Sequence, residues 1–131
     1  RAFEPHRQRN NVSVSRISGL DERSKWFIGK IIEKLRRENG DPSSLKGRAD
    51  IEVFKVQNVQ LEIAPDEPPP KHANISGFPP FSREPDSKSF SIQQELADEA
   101  EGFLCREVTP SIDDILSEDV AVRKEFSAYL S

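Results

Sequence analysis

The chain has no methionine, one cysteine, one tryptophan, one tyrosine and two histidines among its 131 residues. Each scarcity removes a class of chemistry. The single cysteine, Cys105, rules out an intramolecular disulfide and fits a reducing compartment better than an oxidising one. With His6 and His72 it does not give the Cys/His spacing of a zinc site. The six glycines are never grouped into a phosphate-cradling loop. No stretch approaches the ~18 apolar residues of a membrane span, and no basic segment followed by an apolar one opens the chain as a signal peptide does. Position 1 is arginine, so the chain is expected to be a processed product or an excerpt.

What is plentiful is charge and proline. Charged residues make up 32% of the chain against 34% apolar, and ten residues are proline. That composition lies between an ordinary globular domain and a disordered one. The net charge of −4 conceals a split. Residues 1–48 hold twelve Lys/Arg against six Asp/Glu, whereas residues 49–131 hold seven against seventeen. Such a chain either folds its halves onto each other or offers two surfaces to two partners.

Residues 1–18 show no period of 2 or 3.6 and read as a flexible basic arm. The clearest element follows. Asp21 is a helix N-cap, and Glu22 adds negative charge to the first turn. Ile28, Ile31, Ile32 and Leu35 then keep helical spacing, with Phe27 widening the stripe. Asn39-Gly40 gives a left-handed stop. Gly29 is its one flaw, at ~1 kcal/mol relative to alanine.

From Ala49 to Ile63 the apolar residues alternate, with a change of parity at Phe54 and Val56, which predicts a two-stranded ribbon. Residues 64–89 hold seven of the ten prolines and read as an extended linker. After it, Ser91 with Gln94 resembles a capping box, and Ile92, Leu96, Ala100, Phe103 and Leu104 share a helical face. Thr109-Pro110 and Ser117 predict two more helix starts. The last stripe is Val122, Phe126, Tyr129 and Leu130.

These signals predict a helix-rich α+β fold: a flexible arm at 1–18, a basic amphipathic helix plus two-stranded β-ribbon at 19–63, a proline-rich linker at 64–89 and an acidic helical cluster at 90–131. The last is expected to stop inside a larger domain. No cofactor or metal is expected, and catalysis is not. Both histidines fall in stretches without regular pattern, and Asp113-Asp114 and Glu118-Asp119 are accounted for by helix dipoles.

The expected function is protein–protein interaction, as a regulatory or scaffolding piece of an intracellular assembly in cytoplasm or nucleus. The expected partner-binding residues are Trp26, Phe27, Ile31, Leu35, Phe78, Phe81, Phe126 and Tyr129, with self-association through the ribbon edge. The alternative is nucleic-acid or anionic-lipid binding through residues 1–48, using Arg23, Lys25, Lys30, Lys34, Arg36 and Arg37. A third reading is a helical ligand. Between Arg23 and Arg37 six bases and one acid, Glu33, accompany Trp26, a layout that resembles calmodulin targets, although the position fourteen residues on is polar Asn39. Gly77-Phe78-Pro79-Pro80-Phe81 resembles the proline-rich ligands of EVH1 domains, with Ser82 where the final proline belongs. The competing expectation is that Phe78 and Phe81 pin the linker onto a core. Asn11-Val12-Ser13 and Asn74-Ile75-Ser76 are glycosylation sequons, of use only to a secreted protein.

Overall fold

A computed structural model describes residues 2–104, 114 and 122–130. Along the chain these form β1 (Val12–Ser15), α1 (Glu22–Glu38), β2 (Gly47–Asp50), α2 (Val53–Asn58), β3 (Glu62–Pro65), β4 (His72–Ser76), α3 (Lys88–Glu99) and β5 (Glu101–Leu104), with a 3-10 turn at Ser127–Tyr129. The fold is α+β. One sheet is antiparallel with strand order β1-β4-β3, and β2 pairs with β5 in a two-stranded sheet. Helix-rich overstates it, because α2 has only six residues and the strands outnumber the helices among the described residues. Two compact units result: Arg1–Arg16 with Ala49–Phe103, and Ile17–Arg48 with Leu104–Ser131.

In the first unit the register sets Val12, Ile75 and Ile63 in one row and Val14, Ala73 and Pro65 in the next. Side chains alternate across a strand, so these rows form one face, and Ser13, Asn74, Ser15 and His72 form the other. The apolar face is the core. Val12 and Ile75 are buried in one cluster with Val56 of α2, Leu96 of α3, and Phe3, Leu61 and Phe78 from the loops. Each such side chain contributes ~1.5–3 kcal/mol on burial. Asp66 N donates to His72 O at 2.9 Å, which fixes the ladder's parity: Ala64 and Glu62 face β4, and Pro65 turns its nitrogen outward. Proline costs no ladder bond there. Gly77 closes the end of β4 at φ +95, where a Cβ would lie 3.4 Å from Gln60 O.

Three expectations fail in this unit. The arm is ordered in part, because Phe3 is buried and Val12–Ser15 supplies an edge strand of the sheet. His6 N donates to Asn11 O and Asn10 N to His6 O, so the chain turns back at the head of β1. The ribbon at 49–63 is instead β2, a helical turn and β3, and β3 pairs with β4 and not with β2. The change of parity at Phe54 and Val56 was the mark of α2. Lastly, the proline-rich linker holds β4, the central strand of its sheet. Its prolines flank the stretch His72–Ser76, which contains none. The helix after it starts one turn earlier than expected, with Ser87 as N-cap accepting from Phe90 N at 3.1 Å. Ser91 lies inside that helix, Ala100 caps it, and Phe103 and Leu104 belong to β5.

The second unit is built on α1. Asp21 Oδ1 accepts from Ser24 N at 2.8 Å, and Asn39 is the C-cap, followed by Gly40 at φ +88. Phe27, Ile28 and Ile31 are buried with Val122 and Phe126, and Ile32, Leu35, Tyr129 and Leu130 pack around them. The apolar stripe of α1 is thus covered by the C-terminal segment. Phe27 and Phe126 meet edge to face at 5.9 Å, a geometry that aromatic quadrupoles favour. The four stripe residues do share a side, but Val122–Phe126 is a turn leading into the 3-10 turn, not a regular α-helix. Cys105, Thr109-Pro110, Ile112, Asp113, Ile115, Leu116 and Ser117 to Asp119 lie outside the described residues.

Candidate interaction surfaces

Burial sorts the expected partner-binding residues into two groups. Phe27, Ile31, Phe126 and Phe78 are at most 6% exposed, so their rings and methyls serve the two cores. Trp26, Leu35, Phe81 and Tyr129 are half-buried. The Arg48 guanidinium lies 4.7 Å above the Trp26 ring, and its Nη2 is 2.8 Å from Glu22 Oε2. A tryptophan capped in this way is held against its own helix. Glu22 is ionised more readily than usual, first through its hydrogen bond from Arg48.

The six basic residues expected to bind phosphate do not form one face. At 100° per residue, Arg23, Lys30, Lys34 and Arg37 follow one side of α1, and Lys25 and Arg36 the other, with Glu22 and Glu33 between them. Most of these charges meet acids of their own helix. Lys25 lies 3.5 Å from Glu22, Lys30 3.9 Å and Arg37 3.8 Å from Glu33, and Lys34 2.7 Å from Glu38. Lys34 Nζ also donates to Tyr129 O at 3.0 Å, tying α1 to its apolar cover. Ion pairs one turn apart on a helix contribute ~0.3–0.5 kcal/mol each. They lower the density of uncompensated positive charge more than they stabilise.

The stretch 77–81 is fastened at both ends. Asn10, held at φ 51, donates from Nδ2 to Phe78 O at 2.9 Å and Pro79 O at 3.1 Å. Phe81 lies under two guanidiniums, Arg7 at 5.7 Å and Arg83 at 5.8 Å from its centroid. Phe78 fills the core, so one of the two aromatics of the EVH1-like stretch is not presented.

Among the described residues, the large hydrophobic side chains that stand out in solvent were not expected partner-binding residues. They are Val53 and Phe54 of α2, just over half exposed, and Leu104 of β5, 80% exposed. The shift of parity at Phe54 was the signal of the α2 pair in the sequence, since a helical turn that buries Val56 turns Phe54 away from it.

The histidines have defined places. His72 opens β4, and its Nδ1 lies 2.7 Å from Asp66 O and 3.6 Å from the Asp66 carboxylate. Ser15 is its cross-strand partner, yet no hydrogen bond joins the two side chains among the described residues. No group of three or more His, Cys, Asp or Glu close enough to hold a metal ion occurs among the described residues. No helix among them is long and apolar enough to cross a membrane. Comparisons with protein-family models, with curated proteins and with solved structures found no match.

Proposed function

We propose that this chain is a protein-interaction piece of an intracellular assembly, regulatory or scaffolding in role, with α2 as its principal contact. The observation that carries the reading is the pair Val53 and Phe54. Both stand more than half exposed on a helix whose inward residue, Val56, is fully buried. A rigid support under two adjacent apolar side chains is the arrangement of an interface anchor. Polar Glu52, Gln57 and Asn58 surround them, as at the rim of a contact patch.

The test is affinity capture by three forms of the full chain: the unaltered sequence, Phe54→Asp, and the double reversal Arg36→Glu with Arg37→Glu. Proteins held by the unaltered chain should be lost with Phe54→Asp and kept with the double reversal. Equal capture by the unaltered chain and Phe54→Asp sinks the proposal.

The second reading is phosphate-backbone or anionic-lipid binding along Arg23, Lys30, Lys34 and Arg37. The favouring observation is their common side of α1, and the opposing one is their pairing with Glu33 and Glu38. Loss of capture in the double reversal alone, with a steep fall of affinity in salt, would support it instead.

A further inference from the structure

The loop at the head of β1 and the segment after the proline pair enclose a cleft of about 490 Å³ that is open to solvent. Glu4, Pro5, His6, Arg7, Gln8 and Arg83 line it. Among its side chains His6, Arg7 and Arg83 supply N–H donors, beside the Glu4 carboxylate and the Gln8 amide. His6 Nδ1 accepts from Gln8 N at 3.2 Å and Arg9 N at 3.4 Å, so the ring carries its proton on Nε2 and presents an N–H. Arg83 gives its Nε to Glu4 Oε1 at 2.6 Å, which uses that carboxylate and leaves the two terminal amino groups of the fork. The Arg7 guanidinium rests on the Phe81 ring and has no carboxylate partner among the described residues.

The geometry points to a binding site for a phosphate monoester, the phosphorylated serine or threonine of an extended peptide, clamped by Arg7 and Arg83 with His6 as third donor. Two planar forks match the oxygens of a dianion better than they match a single carboxylate. Glu4 holds Arg83 and Phe81 holds Arg7, so little side-chain freedom is lost on binding. The Gln8 amide, donor and acceptor at once, suits the peptide backbone beside the phosphate. A membrane phosphoinositide fits less well. No residue lining this cleft is a large exposed hydrophobic that could enter a bilayer. This site is separate from the α2 surface, so either proposal can fail alone.

The experiment is an amide-resonance titration of the full, isotopically labelled chain with a blocked glycine–phosphoserine–glycine peptide. Parallel arms use the unphosphorylated peptide, acetate, and phosphatidylcholine vesicles with and without phosphatidylinositol phosphate. The phosphopeptide should give saturable shifts confined to residues 6–9 and 81–84, and the unphosphorylated peptide none. Arg7→Gln should weaken binding about tenfold, the scale of one charge-assisted fork. Arg9→Gln, on the same turn but outside the cleft, should leave it unchanged. Arg7 carries the test because Arg83→Gln also disturbs Glu4. Equal shifts with acetate, equal loss in Arg9→Gln, or binding to the phosphoinositide vesicles alone would each overturn the assignment.

Discussion

Asp21 holds the start of α1 with one carboxylate, and its chemistry can be read through pH. The bond from the Ser24 amide favours the ionised form and holds Asp21 below its ordinary 3.8, and the bond from Arg48 holds Glu22 below 4.5. A carboxyl whose value is lowered by folding stabilises the fold while ionised. That contribution is complete above the ordinary value and is lost as pH falls through the folded one. Asn is as good an N-cap as Asp, and Ala is a poor one. At pH 7 Asp21→Asn should therefore melt near the unaltered chain, and Asp21→Ala below it. The advantage of Asp over Ala should shrink in melts taken at pH 3, and a gap that widens in acid would refute the linkage. Phe126 is a residue of another kind, fully buried against Phe27. Removing such a ring costs ~3–5 kcal/mol, against a total of ~5–15 kcal/mol for a domain. Urea unfolding of Phe126→Ala should show a midpoint lowered accordingly.

Among the elements, α1 was legible from the sequence because everything that makes it is local. Its cap, its apolar period and its stop all lie between Asp21 and Gly40. α2 was not, since six residues give too few turns for a 3.6 period to stand out from alternation. β4 was hidden by its flanking prolines, and β1 by the arginines around it. Their evidence is each other: Val12 beside Ile75 and Ser13 beside Asn74 are pairings between distant parts of the chain. The same distance hid the polar partners of the candidate sites, Arg48 on Trp26 and Arg7 on Phe81. The sequence reading of Gly29 as a flaw is sharpened as well. A Cβ there would lie 3.1 Å from Leu45 Cδ2, the free end of a flexible side chain. Alanine's helix preference of ~1 kcal/mol should outweigh that small displacement, so Gly29→Ala is expected to stabilise by less than ~1 kcal/mol. Gly29→Val adds branched bulk against Leu45 and is expected to destabilise by ~1 kcal/mol or more. Chemical denaturation of both variants decides the matter, and a loss in Gly29→Ala would mean that Leu45 cannot shift.

For the whole molecule, the split of charge along the sequence does not survive folding. The unit of Arg1–Arg16 with Ala49–Phe103 joins four bases and one acid to four bases and eleven acids, net −4. The unit of Ile17–Arg48 with Leu104–Ser131 joins eight bases and five acids to three bases and six acids, net zero. Each unit thus takes a basic stretch from early in the chain and an acidic one from late, as the pair of Arg16 with Glu67 illustrates. The two hydrophobic clusters likewise share no residue. Stability should then be lost locally when one cluster is damaged, because distant sites without shared partners act independently. In native-state hydrogen exchange, Phe126→Ala should reduce the protection of α1 amides and leave β4 protected. Ile75→Ala, fully buried in the other cluster, should do the reverse. Protection that falls equally in α1 and β4 for both variants would mean that the chain opens as one cooperative body, and that the separate cores are not separate in energy.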